Sequence, residues 1–232
     1  MNGSKKEVSA VLVHGAWADG SSWNDVIALL LPKGLNVLTV PIPLASLSDD
    51  VAALNRALEL TSGLVVLVAH AYAGAVIAAT TDERIRSLVF IAALAPDEGE
   101  TVAEVFYRGE PHPEAPHLAP DTRGFIWIPQ MGFDAAFSQN ASPERVVLLA
   151  ATQRPIAAKC IQGKVPRPIW KVRPSWYLVA EEDRMINPTT QHFMAQRMGA
   201  HIRSEAVDHT PLVSAPESVT EVILEAIAGS VV

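Results

Sequence analysis

Short aliphatic or β-branched runs alternate with longer segments of helical spacing along most of the chain. Val8–Val13, Leu35–Val40, Leu64–Val68, Ser87–Ala92, Trp176–Ala180 and Ile202–Val207 are bounded by Gly, Pro or polar residues. Most of these runs lack polar alternation, as suits strands covered on both faces, and they are predicted as strands of a buried parallel sheet. Between them, Ser21–Leu31, Leu47–Leu60, Tyr72–Thr80, Thr189–Met198 and Ala215–Ala228 repeat apolar residues at helical intervals. Ser48-Asp49-Asp50 and Pro188 supply helix start signals. The alternation predicts the α/β class, a mostly parallel sheet with helices on both faces.

It breaks between Asp97 and Arg173, where Pro111, Pro113, Pro116, Pro120 and Pro129 cluster with Phe106, Tyr107, Phe125, Trp127, Phe133, Phe137 and Trp170. An insertion between two core strands lies over the carboxyl ends of the strands, where open α/β sheets bind ligands. Residues 97–173 are therefore predicted as a cap on a core of residues 1–96 and 174–232. Taken singly, each aromatic suits the insertion's own small core; together they predict an apolar pocket, with Trp17, Trp127 and Phe133 as candidate substrate contacts.

The 232 residues are 49% hydrophobic and 19% charged, which is globular composition. Eighteen Lys and Arg against 25 Asp and Glu give a net charge of −7 with no basic stripe, which argues against nucleic acid and anionic membranes as partners. Cys160 has no second cysteine to pair with, which fits a reducing compartment, and a buried inert thiol is its expected state. Lys5 and Lys6 precede an apolar run too short for an export signal, and no stretch reaches the roughly 20 apolar residues of a membrane span. A soluble, cytoplasmic protein is expected. Gly15 and Gly20 lack the spacing of a phosphate-binding loop, and no metal-ligand spacing occurs, so neither cofactor nor metal is predicted.

Leu64–Val68 runs into Ala69-His70-Ala71-Tyr72-Ala73-Gly74 and then a helix. Such a strand, sharp turn and helix present a nucleophile where small neighbours, here Ala69 and Ala73, allow the elements to approach. The central residue, however, is Ala71 rather than serine. His14-Gly15-Ala16-Trp17 after the first strand offers backbone N–H groups. Glu181-Glu182-Asp183 and Asp208-His209 end the last two strands, giving the chain order nucleophile position, acid, histidine. His14 and His70 suit shaping of the turns, His112 and His117 belong to the insertion, and His192 and His201 suit surface positions; His209 remains as the base. Spacing leaves the three adjacent carboxylates open, and Asp208 adjoins the base too closely to face it well.

On Val11–Trp17 with Trp23, the turn at Leu67–Gly74, Asp183-Arg184-Met185-Ile186 and His209, the chain resembles the α/β-hydrolase superfamily. The likeness is to its branch of small esterases, plant methylesterases and hydroxynitrile lyases. The resemblance implies the α/β-hydrolase fold, Asp183 orienting His209, and oxyanion donors at the N–H groups of Ala16 and Tyr72. It implies hydrolysis of an apolar or aryl ester or a lactone. Ala71 departs from it. Alanine in a strained turn beside an intact acid and base points to deliberate replacement of serine, an inactive form suited to trapping an ester. The alternatives are a naturally non-catalytic binding protein and a cyanohydrin-cleaving enzyme, the latter needing a cation such as Lys159, Lys164 or Lys171 in the pocket.

Overall fold

The structure, a computed structural model, describes residues 8–230. Lys5 and Lys6, with both extreme ends of the predicted core segments, lie outside the described residues. The strands are β1 Val8–Val13, β2 Asn36–Val40, β3 Leu64–His70, β4 Ile85–Ile91, β5 Phe125–Ile126, β6 Ile156–Ala157, β7 Ser175–Ala180 and β8 His201–Glu205. Six form one parallel sheet in the order β2-β1-β3-β4-β7-β8, while β5 and β6 form a separate antiparallel ladder. All six predicted core strands are present. β4 ends before Ala92, which adopts a left-handed φ of 43°.

β1 is buried along its whole length and splits its side chains between two cores. Val11 and Val13 join one with Val65, Leu67 and Ala69 of β3. Ala10 and Leu12 join the other with Val66 and Val68, under the helices Asn24–Leu30 and Pro216–Ser230. That two-residue alternation is how a strand serves two apolar layers at once. The helix Leu47–Leu58 begins at Ser46, whose side chain accepts from the Asp49 N–H at 3.1 Å, rather than at the expected Ser48-Asp49-Asp50. Asp50 instead joins Leu47, Leu54 and Leu58 on the buried face.

Because β1 lies between β2 and β3, the connections leaving β1 and β3 depart toward opposite sides and open a crevice at their carboxyl ends. Val13 pairs with Ala69, so the loops at Ala16 and Ala71 sit side by side there. Residues between β4 and β7 contribute the helices Val102–Phe106 and Pro143–Thr152, a π-turn at Phe133–Phe137 and the β5–β6 ladder. Among the described residues no helix is long and apolar enough to cross a membrane.

The helix after β3, Ala73–Ala78, is buried throughout and packs closely on the chain leaving β4. A Cβ on Gly74 would stand 2.3 Å from the Leu94 carbonyl oxygen, which is backbone and cannot swing aside. Gly74→Ala is expected to cost about 3 kcal/mol, the upper part of the range for overpacking, read as a lower urea midpoint.

Candidate active site

Ala71 follows β3 with φ 50°, a region that alanine enters only at a cost. Three backbone hydrogen bonds impose it: its carbonyl accepts from Leu94 at 2.9 Å and Gly74 at 3.2 Å, and its N–H donates to Ile91 at 3.3 Å. Trp17 is also left-handed, at φ 58°; its N–H donates to the Arg154 carbonyl and its indole N–H to the Ile126 carbonyl. With these turns fixed, the N–H groups of Ala16 and Tyr72 have no partner among the described residues.

His209 follows β8 and is 2% exposed. Its Nδ1 lies 2.8 Å from Asp183 Oδ2. Asp183 is held in turn by the Met185 and Ile186 N–H groups on Oδ1 and by Gln191 Nε2 on Oδ2. Of the three adjacent carboxylates only this one reaches the imidazole. Glu181 accepts from His192, and Glu182 from Asn140. Asp208 turns away to accept from the Asn140 and Thr210 N–H groups and the Ser214 hydroxyl. The sequence flagged His14 and His70 as loop-shaping residues, and both are buried: His70 Nε2 donates to the His209 carbonyl at 2.7 Å. His112, His117 and His201 are exposed.

Ala16, Trp17, Ala71, Tyr72 and His209 line one cavity, together with Phe106, Tyr107, Leu118 and Met185. Two expected contacts are corrected. Trp127, just past the end of β5, lies outside the cavity and is 48% exposed, whereas its neighbour Ile126 is buried and lines it. Phe133 is buried behind Phe137, which packs edge-on against it and stands 5.3 Å from the His209 ring. Phe106, Tyr107 and Phe137 were in the aromatic cluster, but sequence gave no sign of which aromatics face the site. Lys159, Lys164 and Lys171 are exposed and none lines the cavity.

Asp50 had no functional signal in sequence beyond its place on an apolar helix face. Its buried carboxylate accepts from the Tyr72 hydroxyl at 2.7 Å and the Leu44 N–H at 2.7 Å. Burial pushes its carboxyl up, and also pushes the neighbouring Cys160 thiol up to about 12, so this cysteine is no nucleophile. Among the described residues no group of three or more His, Cys, Asp or Glu is placed to hold a metal.

The sequence pattern of the alpha/beta hydrolase family matches residues 10–222. A carbendazim-hydrolyzing esterase of Nocardioides sp. strain SG-4G is 33% identical over 118 residues, which cover 44% of this chain and 48% of that relative, about half its length. Polyneuridine aldehyde esterase superposes with a TM-score of 0.78 at 19% identity, over 95% of this chain and 99% of that one. A pyrethroid hydrolase from Sphingobium faniae JZ-2 does so at 0.80 and 19%, over 94% and 96%. An Arabidopsis methylesterase does so at 0.77 and 18%, over 96% and 99%. These three likenesses establish the fold.

Burial holds the His14 imidazole down at about 4 and that of His70 well below the usual range, and His14 Nε2 and His70 Nδ1 lack partners among the described residues. Between about 4 and 6.5 the unfolded chain therefore binds protons that the folded chain refuses, so stability rises with pH across that window. Acidifying from pH 7 to 5 is expected to remove about 2 kcal/mol through His14 alone, with His70 adding in the same sense. Asp50 and Asp208, raised by burial, act in the opposite sense toward the acid end. Urea midpoints at the two pH values measure the loss, and H14Q should flatten it.

Proposed function

Because this chain belongs to the alpha/beta hydrolase family, we propose that its cavity is the site of a serine-type carboxylic ester hydrolase with alanine at the nucleophile position, Ala71. With serine at position 71, His209 would take the hydroxyl proton while Asp183 holds the imidazole and stabilises its positive charge. The N–H groups of Ala16 and Tyr72 would receive the tetrahedral oxyanion, and water would then release the acyl group. In the chain as it stands a methyl cannot attack a carbonyl, so a substrate is bound without acyl transfer.

One observation carries the reading. An Asp183–His209 pair at 2.8 Å and two unpartnered N–H groups adjoin the same cavity as a residue held at φ 50°. The apolar, uncharged lining favours an apolar or aryl ester or a lactone, and the named activities of the relatives are of the ester-hydrolysing class. Residues 97–173 serve as the cap, since Phe106, Tyr107, Leu118, Ile126 and Ile156 close the cavity from that side. A small-molecule ester, rather than nucleic acid or membrane, is the partner, in a cytoplasmic setting that suits the lone thiol of Cys160. Cyanohydrin cleavage is disfavoured because no lysine or arginine side chain lines the cavity.

Ala71→Ser should create turnover of p-nitrophenyl esters with an acyl-enzyme burst, at least about 10⁴-fold above the Ala71 chain. Adding His209→Ala should abolish it. Folded A71S protein without hydrolysis of any p-nitrophenyl acyl ester would contradict the reading.

A further inference from the structure

We propose that the site, with alanine at position 71, is a general base acting on its ligand directly. His209 removes a proton from the carbon next to a carbonyl whose oxygen is held by the Ala16 and Tyr72 N–H groups. The proposal rests on the same base and N–H pair as the esterase reading but requires no nucleophile.

Among the described residues that line the cavity, His209 carries the one imidazole. Asp183 accepts from Nδ1, which fixes that nitrogen as the N–H and leaves Nε2 as the basic atom. In a serine form the hydroxyl would engage Nε2; the Ala71 methyl leaves it free for the ligand. Elsewhere in the lining, the Tyr72 hydroxyl is committed to Asp50, the Trp17 indole N–H to the Ile126 carbonyl, and Tyr107 stands 58% exposed. Among the described residues the lining carries no serine, threonine, amide or carboxylate side chain to place an attacking water.

The two N–H groups suit an enolate oxygen as well as a tetrahedral oxyanion, since both present negative charge where a carbonyl oxygen was bound. A base and an anion site acting together are what proton abstraction beside a carbonyl needs. In the step, the C–H bond breaks and its pair forms the C=C bond. The carbonyl π pair moves to oxygen, and the proton goes to Nε2. Return of a proton from Nε2 to that carbon regenerates the carbonyl compound, so no co-reactant is consumed. The ligand class is an apolar ketone or ester with an acidified C–H beside the carbonyl, as the apolar lining requires.

The test is proton NMR of 1-phenylpropan-2-one in D₂O at neutral pD. The Ala71 chain should exchange the benzylic protons about 10²-fold faster than His209→Ala, with Asp183→Asn also slowed. Circular dichroism and urea midpoints establish that both variants are folded. No exchange above buffer, or exchange that survives H209A, overturns the proposal. So does His209-dependent p-nitrophenyl ester hydrolysis by the Ala71 chain without exchange, because the base then serves water. Exchange here with no esterase activity in A71S sinks the esterase reading alone; esterase activity in A71S with no exchange here sinks this one alone.

Discussion

At the end of β3 the chain is held left-handed at Ala71, φ 50°, by hydrogen bonds from the Gly74 and Leu94 N–H groups to its carbonyl. That conformation costs on the order of 1–3 kcal/mol in a non-glycine residue and persists only where its surroundings over-determine it. Here they do: Gly74 packs on the Leu94 backbone and Gly15 stands against Ala71, where a Cβ would meet the Ala71 methyl at 2.9 Å. The turn brings the Tyr72 N–H and the residue 71 side chain to the same cavity as His209. A relaxed turn would disperse these groups, whatever residue stood at its centre.

Buried polar groups hold the surroundings of this turn in place. Asp50 reaches from the helix Leu47–Leu58 to the Tyr72 hydroxyl and to Leu44, itself left-handed at φ 57°. His70 donates to the His209 carbonyl, and Asp208 ties the His209 loop to Asn140 beyond the π-turn. Each is nearly or fully buried, so it makes these bonds in a medium where an unpaired partner is expensive. The cavity thus combines an apolar lining with a polar frame just behind it.

The strands were legible because the four central core runs are aliphatic enough to require cover on both faces, whereas the edge strands β2 and β8 stay partly exposed, and the site loops because parallel strands deliver their carboxyl ends to one rim. Asp183 stood out from Glu181 and Glu182 by family likeness alone; its preference has a geometric basis in the Met185 and Ile186 N–H groups, which spacing does not encode. Inside residues 97–173 the reading was weakest. Ile126 and Trp127 are adjacent, and one residue of register decides which enters the cavity. Phe133 and Phe137 lie four apart on a π-turn whose hydrogen bonding, Ser138 N–H to the Phe133 carbonyl, has no sequence signature. Asp50 escaped notice because a buried carboxylate and a solvated one look alike until their partners are seen.

The central claim is that position 71 faces a base and an anion site built for a carbonyl. A crystal structure of the Ala71 chain soaked with a p-nitrophenyl ester tests it most directly. The account predicts the intact ester in the cavity, its carbonyl oxygen within hydrogen-bond reach of the Ala16 and Tyr72 nitrogens and His209 Nε2 facing the reacting end. An ester bound elsewhere, or an Ala71 relaxed to negative φ with Tyr72 N–H turned away, would contradict it.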